Sequence, residues 1–189
     1  MKQAPKDARH FTPLQRALHW VMAICILAML FIGIGMVSTI EPIYLKLVSI
    51  HKPLGITILV LAMLRLVVRL RNGAPELPRD LPPAMKLAAQ LSHFTFYVLM
   101  IALPLIGWGM LSAADYPVVV LGLHLPPILP PSPSMHTLLW NAHQILALCF
   151  FALILLHFAA ALFHALVRRD GVFEAMSGSA APAAGQPPP

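Results

Sequence analysis

Charge is what this chain has least of. Asp, Glu, Lys and Arg together make up 11% of its 189 residues, against about a quarter of an average soluble domain. So few charged side chains do not furnish the polar shell of a soluble protein this size, and the composition excludes a disordered chain as well. Cysteine is almost absent: Cys25 and Cys149 stand in apolar runs without a CxxC partner, which removes a disulfide framework and a thiolate zinc site. The long apolar stretches contain no Asp or Glu, so the buried carboxylates of a membrane proton pump are missing. No two histidines lie three or four residues apart, which removes the clustered boxes of a di-iron desaturase. What is present is a 59% apolar sequence with nine histidines, and that composition belongs to an integral membrane protein.

A helix needs about 20 apolar residues to cross the hydrocarbon layer. Four segments meet or approach this, at about Ala17 to Ile40, His51 to Leu70, Leu87 to Ala113 and Leu139 to Val167. Proline-bearing turns separate them at Glu41-Pro42, Ala74 to Pro83 and Pro126 to Pro133. The expected fold is all-α, a bundle of four transmembrane helices over residues 1–173, followed by a disordered cytoplasmic tail over 174–189. The first apolar run is longer than a signal-peptide core and no clear cleavage site follows it, so it is expected to be a retained helix. The loop Tyr116 to Ser134 holds six prolines and is expected to lie along the outer surface.

The basic residues fix orientation. Lys2, Lys6, Arg9, Arg16, Arg65, Arg69, Arg71, Arg79, Lys86, Arg168 and Arg169 fall on one side of these spans, and only Lys46 and Lys52 on the other. By the positive-inside rule both termini are cytoplasmic. The net charge of +6 therefore reports topology and gives no reason to expect nucleic acid.

With this topology the histidines acquire depths. His143 and His157 on the fourth helix are 14 residues apart, about 40° short of four whole turns and about 21 Å along the axis. His164 continues the same stripe about 10 Å further inward. His51 lies at the outer level with His143, and His19 lies towards the cytoplasm with His157. Two facing imidazoles at each of two depths suit two hemes, each ligated on both sides, and iron with no open position favours electron transfer over dioxygen binding. No CxxCH occurs, so such hemes are b-type and non-covalent. Arg16, Arg65 and Arg69 serve either as positive-inside flanks or as partners for heme propionates, Arg65 being the deepest. Gly33, Gly35, Gly55, Gly107 and Gly109 fit close approach of either a macrocycle or a neighbouring helix.

The run Leu14-Gln15-Arg16-Ala17-Leu18-His19-Trp20 resembles the opening of bacterial cytochrome b561 proteins. So do His51-Lys52-Pro53-Leu54-Gly55, the stretch Leu64 to Leu70, His93 with Ala102 to Gly107, and Leu156 to His164. The resemblance covers roughly residues 10 to 173. It implies a four-helix di-heme cytochrome b of the bacterial inner membrane, of the superoxide oxidase (superoxide:ubiquinone oxidoreductase) type. It supports His51 and His143 for an outer heme and His19 and His157 for an inner one. It further implies His93 and His164 as residues near ubiquinone, against an alternative as interfacial histidines.

The activity so implied is oxidation of superoxide at the periplasmic face and reduction of ubiquinone near the cytoplasmic face. Lys52 and Lys46, the only outer cations, would attract the superoxide anion. Two other functions fit the same residues. One is a cytochrome b anchor subunit taking electrons from a periplasmic dehydrogenase or hydrogenase; the other is a non-catalytic heme-binding membrane protein. His10, His124 and His136 have no assigned role.

Overall fold

The computed structural model describes residues 10–120 and 122–178. Four long helices, α1 (Pro13–Ser38), α2 (Ile43–Asn72), α3 (Pro83–Ala113) and α4 (Pro133–Leu162), carry the four apolar runs. At 1.5 Å per residue they are roughly 39–46 Å long, more than the ~30 Å hydrocarbon layer requires. That excess is why their ends lie outside the apolar runs: α2 starts at Ile43 and α4 at Pro133, ahead of the spans at His51 and Leu139.

Local chemistry sets the helix starts. Thr12 Oγ1 accepts from the Gln15 N–H at 3.3 Å, and Gln15 Oε1 accepts from the Thr12 N–H at 3.0 Å. This reciprocal cap, with Pro13 in the first turn, satisfies two otherwise orphaned donors. Gln15 also donates through Nε2 to the Gly73 carbonyl at 2.8 Å, tying the start of α1 to the end of α2. Gly73, at φ 71°, closes α2 in a conformation that side chains resist. Ser132 caps α4, accepting from the Met135 N–H at 3.4 Å with Pro133 following.

The helices pack as two hairpins. α1 lies along α2 and α3 along α4, α2 touches α3 more sparingly, and the α1 and α4 backbones make little contact. Met22, Ala62, Leu99, Met100, Leu103 and Phe150 form the buried core between them. Phe31, Ile24, Leu155 and Phe158 are exposed; in a bilayer these are the lipid-facing side chains, because lipid is as apolar as they are.

The long loop after α3 is built rather than irregular. It contains a hairpin of β1 (Val118–Val120) and β2 (Leu123–Leu125), antiparallel with Val118 opposite Leu125. Trp108 Nε1 donates to the Pro126 carbonyl at 3.1 Å, and the Ile128 N–H donates to Ser112 Oγ at 3.1 Å. These bonds fold the proline-rich stretch across the end of α3, consistent with a surface loop.

At the opposite end α4 widens into a π-helical stretch, Phe163–Arg168, which Arg169 terminates at φ 51°. A short helix α5 (Val172–Ser177) then turns back onto α1. The Phe11 N–H donates to the Ala175 carbonyl at 3.1 Å, and Trp20 Nε1 donates to the Met176 carbonyl at 3.4 Å. The expected tail boundary at residue 174 falls inside α5, and residues 179–189 of that tail lie outside the described residues.

Candidate functional site

At the loop end, His51 of α2 faces His143 of α4, their ring centroids 6.1 Å apart at an interplanar angle of 67°. Among the described residues no group meets the Nδ1 atoms of these buried rings in hydrogen-bonding geometry, and an unmet polar group costs about 1–3 kcal/mol. Space for the His143 ring comes from Gly107 of α3, where a Cβ would approach His143 Cε1 to 3.4 Å.

At the terminal end, His157 of α4 faces two imidazoles. His19 of α1 lies 6.4 Å away centroid to centroid, and His93 of α3 lies 6.0 Å away. Phe96 closes against His157 at 5.1 Å and against Phe150 at 5.7 Å. Phe150 stands seven residues from each of His143 and His157, so it occupies the same stripe of α4 midway between the two levels. His19 Nδ1 is buried and unpartnered like those of the loop-end pair.

These pairs fit an iron porphyrin better than a bare ion. Among the described residues no cluster of three or more His, Cys, Asp or Glu side chains is placed to hold a metal, whereas a zinc or di-iron centre draws at least three protein ligands. Two facing imidazoles complete an iron whose other four positions are filled by a macrocycle. An imidazole–metal bond is about 2 Å long, so separations of 6.1 and 6.4 Å accommodate two such bonds plus the half-widths of two rings. Both pairs also join α4 to the α1–α2 hairpin, across a boundary where the α4 backbone makes little contact with α1 or α2.

Positive charge gathers at the terminal end. Arg65 of α2 lies with its guanidinium carbon 5.9 Å from the Tyr97 ring centre, and its Nη1 is 3.9 Å from Met22 Sδ. Arg69, one turn on, stacks over Phe11 at 5.4 Å. Among the described residues neither has a carboxylate partner, an arrangement that invites an anion. With Phe11, Gln15, Tyr97 and Met176 they line a small cleft under α5. Arg16 is placed differently: its guanidinium lies against Gly178, where a Cβ would collide with it.

His164 and His93 occupy different neighbourhoods. His93 stands beside His157, whereas His164 sits in the π-helical stretch with Nδ1 2.8 Å from Asp170 Oδ2. Asp170 also accepts from Arg168 Nε at 2.8 Å, and Arg168 Nη2 reaches Asp80 Oδ2 at 2.7 Å. Burial alone would raise the Asp170 carboxyl, but the hydrogen bonds from Arg168, His164 and the Val172 N–H together hold it below the usual carboxylate value. Asp170 escapes a search of the sequence for membrane-embedded groups because it lies just past the last span. Its six-residue spacing from His164 and its place after Arg168-Arg169 are the available signal. Phe150, midway between two histidines on one stripe, was discoverable from spacing alone.

At the loop end the charges are sparse. Lys52 donates through Nζ to the Pro117 carbonyl at 3.4 Å, and Lys46 is exposed on the same helix. His136 Nδ1 lies 2.9 Å from the Met110 carbonyl, helping to join α4 to α3, and His124 is exposed on β2.

The sequence pattern describing "Prokaryotic cytochrome b561" matches residues 10–179. The chain is 30% identical over 169 residues to "Cytochrome b561 homolog 1" of Escherichia coli (strain K12), covering 85% of this chain and 92% of that relative. It is 31% identical over 164 residues to "Probable superoxide oxidase CybB" of Yersinia pestis, covering 86% of this chain and 92% of that one. "Cytochrome b561 homolog 2" of Escherichia coli (strain K12) is 27% identical over 165 residues, covering 86% and 88%.

Proposed function

The chain belongs to the prokaryotic cytochrome b561 family, heme-b electron-transfer proteins of the bacterial inner membrane, and from that premise we propose that it is a di-heme superoxide:ubiquinone oxidoreductase. The observation that carries this reading is the pair of facing histidines at each of two levels, His51 with His143 and His19 with His157, both joining α4 to the α1–α2 hairpin. In the proposal residues 1–173 form one di-heme membrane domain. When bound, two hemes supply one-electron relay between the faces.

His51 and His143 hold the outer group and His19 and His157 the inner one. Arg65 offers its guanidinium to propionate carboxylates, with Arg69 beside it; Arg16 fits this role less well, because the C-terminal segment already occupies it. Lys52 and Lys46 provide the outer positive charge that meets superoxide. His93 and His164 serve the quinone carbonyls at the cytoplasmic end. Two superoxide anions become two dioxygen molecules while one ubiquinone takes up two electrons and two protons, so charge and atoms balance. The superoxide reading takes its support from the relative named as a probable superoxide oxidase.

The anchor-subunit reading has one observation in its favour: the loop end is poor in cations, and Lys52 is hydrogen-bonded to Pro117. Purified protein discriminates. Two b-type hemes per chain in a reduced-minus-oxidised spectrum, reduced by a superoxide pulse and reoxidised by ubiquinone without a partner subunit, support the oxidase. Two hemes indifferent to superoxide support the anchor. A colourless preparation overturns both.

A further inference from the structure

A carboxylate can only accept a hydrogen bond, so the His164 ring nitrogen facing Asp170 carries the proton. Both carboxylate oxygens lie within reach of that Nδ1, at 3.0 and 2.8 Å. The pair is sheltered, with 13% and 10% of the His164 and Asp170 side chains exposed. Asp170 is itself held in place by Arg168 Nε and the Val172 N–H, and Arg168 is tethered to Asp80 on the loop between α2 and α3. The chain has opened into a π-helical turn at His164, a distortion that recurs at functional sites. The result is a histidine of fixed tautomer and fixed orientation, with Nε2 as the nitrogen left for a substrate.

We infer that Asp170 is a positioning residue for quinone protonation: it locks His164 with Nε2 towards the substrate and balances the positive charge that His164 carries before it gives up a proton. The inference rests on the quinone reading of His164. In the step it describes, the imidazolium Nε2–H bond breaks and one quinone carbonyl oxygen gains the proton; the two electrons that balance the reduction would come from the b-type hemes that the paired histidines would hold. His164 is left neutral, with Nδ1–H still bound to Asp170, and regains an Nε2 proton from cytoplasmic water. The second carbonyl takes its proton from the same water. The other charged groups around this turn are Arg168 and Arg169 on its own stretch, Asp80 on the α2–α3 loop and Glu174 on α5. α4 contributes only His157, two turns away.

The test uses holoprotein whose hemes have been chemically reduced, mixed with a short-chain ubiquinone across a range of pH, with heme reoxidation followed by absorbance. This separates quinone chemistry from the identity of the donor, and the heme spectrum of each variant reports that it has folded. Asp170→Asn is expected to slow reoxidation roughly ten- to hundred-fold, the range for loss of a group that orients a histidine. The pH profile of reoxidation is expected to change as well, because the carboxylate lies against the ring that passes the proton on. Asp170→Glu restores most of the rate and the original profile. A rate lowered equally at every pH, or one unchanged in Asp170→Asn while His164→Gln is slow, overturns the positioning role and leaves the quinone reading standing. Wild-type reoxidation in His164→Gln overturns the quinone role of His164 and this inference with it.

Discussion

The two ends of the bundle are built from the same pair of facing imidazoles but surrounded by different chemistry. At the loop end His51 and His143 face each other, Gly107 clears the space beside them, and Lys52 is bonded to a backbone carbonyl. At the terminal end His157 has two imidazole neighbours, Arg65 and Arg69 lack carboxylate partners among the described residues, and a chain of hydrogen bonds runs from His164 through Asp170 and Arg168 to Asp80. An end that exchanges only electrons needs no titratable groups beyond the ligands. An end that also takes up protons needs acids, bases and a route to water. Under the proposed function, the loop end is the one that meets a small donor and the terminal end the one that reduces a quinone.

The largest effect comes from breaking one level while sparing the other. His143→Leu is expected to remove the outer heme, halve the heme content and leave the inner spectrum in place. His157→Leu is expected to remove the inner heme and abolish quinone reduction, since both His19 and His93 lose the imidazole they face. Heme quantitation and low-temperature spectra of the two variants check this. Equal loss of both hemes in either variant would break the comparison.

Charge separates the ends next. Arg65→Gln removes a cation from the terminal end only, so on the two-heme reading the inner heme is expected to become harder to reduce. At an effective dielectric near 20 the change is roughly 1–2 kcal/mol, or about 40–90 mV for a one-electron couple. Redox titration should show the inner midpoint falling and the outer one unmoved.

Sequence periodicity makes much of this legible. Four apolar runs of sufficient length define the spans, and the 14-residue spacing of His143 and His157 places both on one stripe of α4 at two depths. Helix ends are less legible, because hydropathy marks the hydrocarbon layer while caps such as Thr12 and Ser132 mark where helices begin. Beyond the depth-matched histidine pairs, contacts across the chain are not legible. Nothing in the spacing of His93 reveals that it stands as near to His157 as His19 does. Nor does the local sequence say that Arg168 reaches Asp80, 88 residues away.

A smaller effect sharpens the packing side of the comparison. Gly107→Ala places a methyl 3.4 Å from His143 Cε1, at the tight limit of ordinary contact, which leaves the ring no room to move towards α3. Gly55→Ala meets only the end of Met29, at 3.8 Å. The first is expected to cost about 1 kcal/mol in outer-heme retention and to alter only the outer spectrum. The second is expected to be silent in heme titrations.

The smallest effect lies in the ion-pair chain, and its pH dependence has a definite sign. Asp170 titrates below its unfolded value in the folded protein. Its contribution is therefore complete above the ordinary carboxylate range and is lost as pH falls through the lowered folded value. Thermal unfolding of the wild type should thus lose stability below about pH 4 more steeply than Asp170→Asn does. Asp80 is 75% exposed, so its bond to Arg168 is screened by solvent and Asp80→Asn should leave thermal stability nearly unchanged. A larger loss in Asp80→Asn would mean that the α2–α3 loop, and not Asp170, holds the π-helical turn in place, and the terminal end would then owe its geometry to the surface rather than to its buried pair.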